Sequence, residues 1–110
     1  MSGSDLFTGT LDLLILSAVA HEPRHGYAIR KWISDRDPEL LNVEEGVLYL
    51  ALYRLAGRGL LKAEWGVNDT GRRAKFYQLT GQGKKHLAAE KNRWQEHVRA
   101  VGARLDLSGA

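Results

Sequence analysis

The spacing of apolar residues changes from a helical period to a period of two near Leu61, about halfway along the chain. Before this point, apolar residues recur three and four positions apart in three short segments, as they do on amphipathic helices. After it, Leu61, Ala63 and Trp65 alternate with Lys62 and Glu64, which is typical of a half-buried strand. Since 110 residues have room for one core, the pattern predicts a mostly α-helical fold with a small β-hairpin.

The first two predicted helices are separated by a proline. The first begins at Thr8 or Thr10 and is apolar on almost every side, which is typical of a helix that is covered all round. It ends before Pro23, because the residue that precedes a proline avoids the α-helical region. The second helix runs from Tyr27 to about Arg36 and is stopped at Pro38.

The third predicted helix has the clearest N-terminal signal. Asn42 is a good N-cap residue, and Glu45 three positions later completes a pattern similar to a capping box. Glu44 and Glu45 also suit an acid–base pair, but capping explains them, and the chain has no phosphate-binding glycine loop and no nucleophile motif. We therefore expect no enzyme. The stripe that faces the core should comprise Leu48, Leu52 and Leu55.

The hairpin is completed by a second strand, Lys75 to Leu79, after a polar turn. Thr80 then caps a last helix that extends to about Leu105, a length of about 37 Å at 1.5 Å per residue. The chain is therefore predicted to divide into residues 1–80, with three helices and the hairpin, and residues 81–110, with the long helix and a short tail.

The last helix carries an apolar stripe that predicts a homodimer. From Trp94 onward, apolar residues lie four, three and four positions apart, which is the spacing of a coiled-coil seam. A stripe of this length is too apolar to face water, and pairing about a two-fold axis would cover it together with the first helix. The predicted interface residues are Leu11, Leu14, Leu87, Trp94, Val98, Val101 and Leu105.

Positive charge is concentrated around the hairpin. Between Arg58 and Lys85 there are seven basic and two acidic residues, whereas the whole chain has a formal charge of only +3. A basic patch on a near-neutral background favours a polyanionic partner such as double-stranded DNA. A solvated charged face would have the same composition.

Other classes of site and location have little support in the sequence. Cysteine is absent, which excludes disulfides and thiolate zinc sites. His86, Glu90 and His97 could share a helix face, but there is no cysteine to complete a site, so we expect no metal and no cofactor. The longest apolar run, Leu13 to Leu16, is too short to span a bilayer, and the N-terminus lacks a basic signal region. We expect a cytoplasmic protein with no membrane partner.

Three short helices followed by a basic hairpin is the order of a winged helix-turn-helix. In that fold the third helix enters the major groove and the hairpin contacts phosphates. The predicted DNA-contacting residues lie at the start of the second helix, on the exposed side of the third and in the hairpin: His25, Gly46, Val47, Tyr49, Leu50, Tyr53, Arg54, Arg72, Arg73 and Lys75. The alternative is a winged-helix module for protein–protein interaction, whose charge only solubilises it.

Four segments carry a further signal when they are taken in order. They are Gly9-Thr10-Leu11-Asp12-Leu13-Leu14, His25-Gly26-Tyr27-Ala28-Ile29, Glu45-Gly46-Val47-Leu48-Tyr49-Leu50-Ala51-Leu52-Tyr53-Arg54-Leu55 and Gly71-Arg72-Arg73-Ala74-Lys75-Phe76-Tyr77-Gln78-Leu79-Thr80. Together with Trp65-Gly66, they closely resemble the PadR family of bacterial transcriptional regulators, over nearly the whole chain. The single C-terminal helix is similar to the short subfamily.

This resemblance implies a homodimeric repressor that binds a palindromic operator and is released by an effector or a stress signal. Two departures concern the DNA-contacting helix, because the family usually has Thr at Val47 and Pro at Leu50. Without the hydroxyl at Val47, one polar contact to DNA is lost. Without the proline at Leu50, the helix should be more regular.

The resemblance also gives Trp94 two interpretations. In some short PadR-like regulators, a tryptophan at this place lines a pore between the subunits and stacks on flat aromatic molecules. Plain packing in the dimer explains the residue equally directly, because aromatic side chains are common at interfaces. A pocket for a small aromatic effector would be lined by Leu13, Ser17, Trp94 and Val98.

Overall fold

A computed structural model of the protein describes residues 3–107, with side chains from residue 9 onward. This part of the chain forms four α-helices and three β-strands, in the order that the sequence predicts apart from one additional short strand. The elements are α1 (Gly3–Ala18), β1 (Arg24–His25), α2 (Gly26–Ser34), α3 (Glu45–Gly57), β2 (Leu61–Val67), β3 (Arg73–Leu79) and α4 (Gly81–Arg104). The predicted fold class, a winged helix with a long C-terminal helix, is confirmed.

The core lies where α1, α2 and α3 meet, and it is closed by the sheet and the first turns of α4. Ile15, Ile29 and the predicted stripe of α3 are fully buried. The prediction that Leu48, Leu52 and Leu55 hold α3 to the core is therefore confirmed, since no part of these three side chains reaches solvent. Leu60, Leu61 and Leu87 extend the same cluster toward the hairpin and α4.

The C-terminal ends of the first two helices differ from the prediction. α1 ends at Ala18 rather than just before Pro23, and the Nε of Arg24 donates a hydrogen bond of 2.7 Å to the Ala18 carbonyl. This bond satisfies one of the carbonyl groups that a helix leaves unpaired at its end. α2 ends at Ser34, two residues before the predicted end at Arg36.

The predicted N-cap of α3 is wrong. The helix begins at Glu45, its N-cap is the extended residue Glu44, and no side chain caps it. Asn42 lies too far upstream because Val43 is buried in the core and its carbonyl accepts a hydrogen bond of 3.0 Å from the Nε of Arg30. Tertiary packing thus keeps this segment extended and delays the start of the helix.

The three strands form an antiparallel sheet in the order β1–β3–β2. In the hairpin, Leu61 pairs with Leu79, Ala63 with Tyr77, Trp65 with Lys75 and Val67 with Arg73. Since side chains alternate along a strand, these eight residues share one face of the sheet. That face covers the core near Leu61 and Leu79, and it continues past the core toward the turn at residues 68–72. We call β2, β3 and this turn the wing.

The start of α4 packs tightly against Gly59 and Leu60, the two residues before β2. The hydroxyl of Thr80 accepts a hydrogen bond of 2.9 Å from the Gly83 N–H and donates one of 2.6 Å to the Gly59 carbonyl, so the predicted cap is confirmed. A Cβ at Gly83 would overlap the Leu60 carbonyl oxygen, which explains why glycine is required there. Beyond Leu87 the helix leaves the core. No helix in residues 3–107 is long and apolar enough to cross a membrane.

Candidate nucleic-acid interface

A groove with a volume of about 800 Å³ lies between the wing and the helices, and we call it the wing groove. Its two walls come from different parts of the fold. One wall carries Trp65, Arg72, Arg73 and Lys75 of the wing, and the other carries His25, Tyr27 and Tyr49. The groove therefore brings together five of the ten predicted DNA contacts: His25, Tyr49, Arg72, Arg73 and Lys75.

The cations of the wing wall are free to bind an anion. Arg72, Arg73 and Lys75 are exposed, and none of them forms an ion pair with a side chain that the structure describes. The guanidinium carbon of Arg73 lies 4.6 Å from the centre of the Trp65 ring, and the ammonium nitrogen of Lys75 lies 6.0 Å from it. One wall of the groove is thus positively charged without internal compensation.

The turn of the wing is held by a single amide side chain. The Oδ1 of Asn68 accepts hydrogen bonds from the backbone N–H groups of Thr70 and Arg72, at 3.1 and 2.9 Å. Gly71 has a φ of +81°, a conformation that an L side chain rarely adopts. These features fix the backbone from which the side chains of Arg72 and Arg73 extend.

His25 is both the N-cap of α2 and a wall of the groove. Its Nδ1 accepts a hydrogen bond of 3.2 Å from the Ala28 N–H, so the neutral ring carries its proton on Nε2. The ring stacks on Tyr27 with centroids 6.3 Å apart and meets Phe76 edge-on at 5.3 Å. The prediction that His25 opens the second helix agrees with this geometry, and the Nε2 proton is available as a donor.

Tyr49 reaches the groove because α2 begins with a glycine. A Cβ at Gly26 would come within 2.6 Å of the Tyr49 hydroxyl oxygen and 2.8–2.9 Å of its ring, so glycine at this position leaves room for the Tyr49 side chain to lie against the start of α2. Burial raises the pKa of the Tyr77 hydroxyl, and the nearby Tyr49 raises it further. The Tyr77 hydroxyl is therefore a neutral hydrogen-bonding group at neutral pH.

The remaining predicted contacts of α3 lie on its exposed side. Gly46, Val47, Leu50 and Tyr53 are all exposed, and Leu50 and Tyr53 are the most accessible, at 72% and 82%. The N-terminal half of α3 thus presents apolar and aromatic groups rather than charges. Glu45 in the first turn is its only charged residue before Arg54.

The side chain of Arg54, predicted to contact DNA, instead pairs with a carboxylate of the same chain. Its guanidinium forms a bidentate ion pair with the carboxylate of Asp12 in α1, with N–O distances of 2.8 and 2.9 Å. Arg54 therefore turns toward the body of the domain, and it offers no free fork to DNA. Asp12 gave a signal in the sequence, because a carboxylate inside an otherwise apolar helix needs a partner when it is buried.

The predicted dimer and effector residues fall into two groups. Leu11 and Leu87 are buried in the chain's own core, so they have almost no surface left for a partner, which corrects that part of the prediction. Leu13, Leu14 and Ser17 in α1 are partly buried. The other predicted residues are all exposed: Trp94, Val98 and Val101 on α4, and Leu105 at its C-cap.

Tyr27, Trp65 and Asn68 are among the groove residues that were not predicted as DNA contacts. The signal for Asn68 was its place in a polar turn, where asparagine often bonds its own backbone. In residues 3–107, no group of three His, Cys, Asp or Glu side chains could hold a metal ion. His86, Glu90 and His97 therefore form no such cluster.

Comparisons with known proteins agree with this geometry. Residues 15–89 match the PadR-like family of transcriptional regulators. A protein of Lysinibacillus sphaericus, known only as an uncharacterised protein, is 35% identical over 97 residues, which cover 87% of this chain and 88% of the relative.

Solved structures of regulators have the same fold. A PadR family transcription regulator from hypervirulent Clostridium difficile is 32% identical, with a TM-score of 0.74 and coverage of 86% of this chain and 96% of that one. A transcriptional regulator from Clostridium thermocellum is 29% identical, with a TM-score of 0.79 and coverage of 94% and 97%. The match extends over more than half of the chain, and these relatives are regulators rather than enzymes. The chain belongs to the PadR-like family of transcriptional regulators, which act by binding DNA.

Proposed function

We propose that the protein is a homodimeric repressor that binds a palindromic operator through the wing and α3 and is released by a small-molecule effector or a stress signal. The observation that carries the DNA-binding part is the set of three unpaired cations, Arg72, Arg73 and Lys75, on one wall of the wing groove. Phosphates of one DNA strand would bind there, because cations that form no ion pair with a described carboxylate favour an anionic backbone.

α3 would contact DNA bases mainly through uncharged side chains. With Arg54 paired to Asp12, the predicted contacts left on the exposed side of α3 are all uncharged: Gly46, Val47, Tyr49, Leu50 and Tyr53. Apolar side chains can contact the methyl groups of thymine, and the Tyr49 hydroxyl can donate to or accept from a base edge or a phosphate. Affinity would therefore depend mainly on the wing, and sequence preference on α3.

The test is a binding titration with duplex DNA across a series of salt concentrations. Replacing Arg72, Arg73 or Lys75 with Ala should weaken binding to operator and to random DNA about equally, and each change should lower the salt slope by about one unit. Lys62→Ala is the matched control, since Lys62 is a cation of the same hairpin but lies on the opposite sheet face. Binding that does not depend on salt would instead favour a protein–protein module.

The homodimer rests on the exposed stripe of α4. Trp94, Val98 and Val101 each keep at least 40% of their surface exposed on a helix of 24 residues, about 36 Å long. A second copy of this chain related by a two-fold axis would cover the stripe, and it would set two copies of α3 about one DNA turn, roughly 34 Å, apart. That spacing is what a palindromic operator requires.

Sedimentation at micromolar concentration tests the dimer. The wild-type protein should sediment as a dimer, and Val98→Asp should give monomers because it puts a charge in the stripe. Ala100→Asp is the matched control, since Ala100 is also exposed on α4 but points to the other side of the helix. A wild-type monomer, or dimers that survive Val98→Asp, would refute this interface.

The effector part of the proposal concerns Trp94, whose ring also lies 6.1 Å from that of His97. A flat aromatic molecule that stacks on Trp94 in the dimer should quench its fluorescence and release DNA, whereas a residue that only packs the interface should do neither. Trp94→Leu keeps an apolar side chain for the interface and removes the stacking surface. If the Trp94→Leu protein remains a dimer but no longer releases DNA when the flat aromatic molecule is added, the effector role is supported. If it releases DNA as the wild type does, the effector role is refuted.

A further inference from the structure

Trp65 is a large exposed aromatic residue on the charged wall of the wing groove. Its side chain is 60% exposed, although it shares a sheet face with the core residues Leu61 and Tyr77. Lys75 is its direct cross-strand partner, and Arg73 lies one step further along β3 on the same face. The ring therefore lies under two cations at the place where the sheet extends past the core.

No carboxylate of residues 9–107 competes with the ring for these cations. Glu64 precedes Trp65 but points to the opposite face of the sheet, and neither it nor Asp69 of the turn pairs with Arg73 or Lys75. The Trp65 ring is thus the group that holds the Arg73 guanidinium, at 4.6 Å from ring centre to guanidinium carbon.

Holding an arginine by an aromatic face has a different chemical result from holding it by a carboxylate. A carboxylate occupies the N–H edge of the guanidinium, as Asp12 does for Arg54. A ring that contacts the face of the guanidinium leaves all five N–H donors free, while it still limits the conformations of a long side chain. An arginine held in this way is ready to bind a phosphate in a bidentate manner.

We propose that Trp65 is a positioning residue for the DNA backbone: its ring holds Arg73, and more weakly Lys75, in the orientation in which they bind phosphate oxygens across the wing groove. This proposal rests on the proposed DNA-binding function and deepens it. The ring itself makes no contact with DNA. Its effect on affinity is transmitted entirely through the two cations.

The experiment compares Trp65→Leu with Trp65→Phe in the full-length protein. The probe is a dye-labelled random-sequence duplex of about 30 base pairs, roughly three helical turns. Trp65→Leu removes the aromatic face, keeps all charges, and should weaken binding about two- to fivefold, as expected for an exposed cation–π contact. Its salt slope should equal that of the wild type, whereas Arg73→Ala should lower the slope by about one. Trp65→Phe should be intermediate, because a smaller aromatic face remains.

Trp32→Leu is the matched control, since Trp32 is also an exposed tryptophan but lies on α2 outside the wing groove. It should bind DNA like the wild type. Thermal unfolding of each variant separates loss of fold from loss of binding. If Trp65→Leu were to unfold the protein, the same comparison between Trp65→Phe and the wild type would still test the proposal.

The decisive measurement repeats Trp65→Leu in a protein that already lacks both cations, Arg73→Ala/Lys75→Ala. There the change should have no further effect on affinity. A further loss would mean that the ring contacts DNA itself, and full affinity of Trp65→Leu in the otherwise wild-type protein would mean that the ring positions nothing; either result overturns the proposal. If the wild-type protein does not bind the duplex, it is the proposed function that fails.

Discussion

The ion pair between Asp12 and Arg54 should contribute measurably to stability, and unequally through its two partners. It comprises two charge-assisted hydrogen bonds of 2.8 and 2.9 Å, with the Asp12 side chain 15% exposed and the Arg54 side chain 40% exposed. Exposed pairs contribute about 0.2–1 kcal/mol, and hydrogen bonds to buried charges about 1.5–3 kcal/mol. A partly buried bidentate pair lies between these limits, so we expect a coupling free energy of about 1–2 kcal/mol.

The asymmetry follows from burial. Arg54→Ala leaves a mostly buried carboxylate without a partner and should cost about 2–3 kcal/mol. Asp12→Ala leaves a guanidinium that can turn to solvent, so it should cost less, about 1–2 kcal/mol. The assay is urea unfolding of the wild type, both single variants and the double variant, all at one protein concentration because a dimer's stability depends on concentration.

The double variant gives the coupling free energy directly. A coupling below about 0.5 kcal/mol would show that the pair behaves like an ordinary surface contact. A greater loss from Asp12→Ala than from Arg54→Ala would refute the reasoning from burial.

Three further changes test other features. Gly83→Ala should destabilise the protein by about 3 kcal/mol in urea unfolding, since its methyl group would overlap the backbone oxygen of Leu60, which cannot move away. Gly81→Ala in the same turn is the control, because its methyl group would enter open space and should be tolerated. Gly26→Ala should push the ring of Tyr49 out of place and lower DNA affinity in a mobility-shift assay, but it should cost less than about 1 kcal/mol, because the half-exposed ring can turn toward solvent; unchanged affinity would contradict the close approach. Because burial and then Tyr49 raise the pKa of Tyr77 in the folded state, its contribution to stability is complete below about pH 10 and is lost as pH rises through the folded pKa. Tyr77→Phe should therefore reduce the fall in unfolding free energy between about pH 9 and pH 11, and an equal fall in both proteins would exclude Tyr77 as its cause.

The parts of the fold that were predictable from the sequence are those fixed by local patterns. The change of period at Leu61, the cap at Thr80 and the stripe through Leu48, Leu52 and Leu55 each depend on residues a few positions apart, and the structure confirms them. The N-cap at Asn42 has an equally good local signal. It fails because burial of Val43 outweighs a cap that contributes only about 1 kcal/mol.

The candidate site was less predictable for the same reason. A helical period gives the angle of Arg54 around α3, but its partner Asp12 is 42 positions upstream, and no local pattern joins the two. Trp65 alternates as a residue of the core-facing side should, and it does lie on that side. It is exposed because the sheet is longer than the core that it covers, and the extent of a core depends on the whole fold.

The two-residue strand β1 has a consequence for how the protein folds. Its residues pair with Tyr77 and Phe76, more than fifty positions later in the chain, and one of them is also the N-cap of α2. A pairing at such separation closes a long loop, which is entropically costly until the rest of the contacts form. Neither β1 nor the wing groove can therefore form until β3 has emerged from the ribosome. The DNA-facing surface would then appear in one late, cooperative step, and its amides should exchange with solvent together with those of the core.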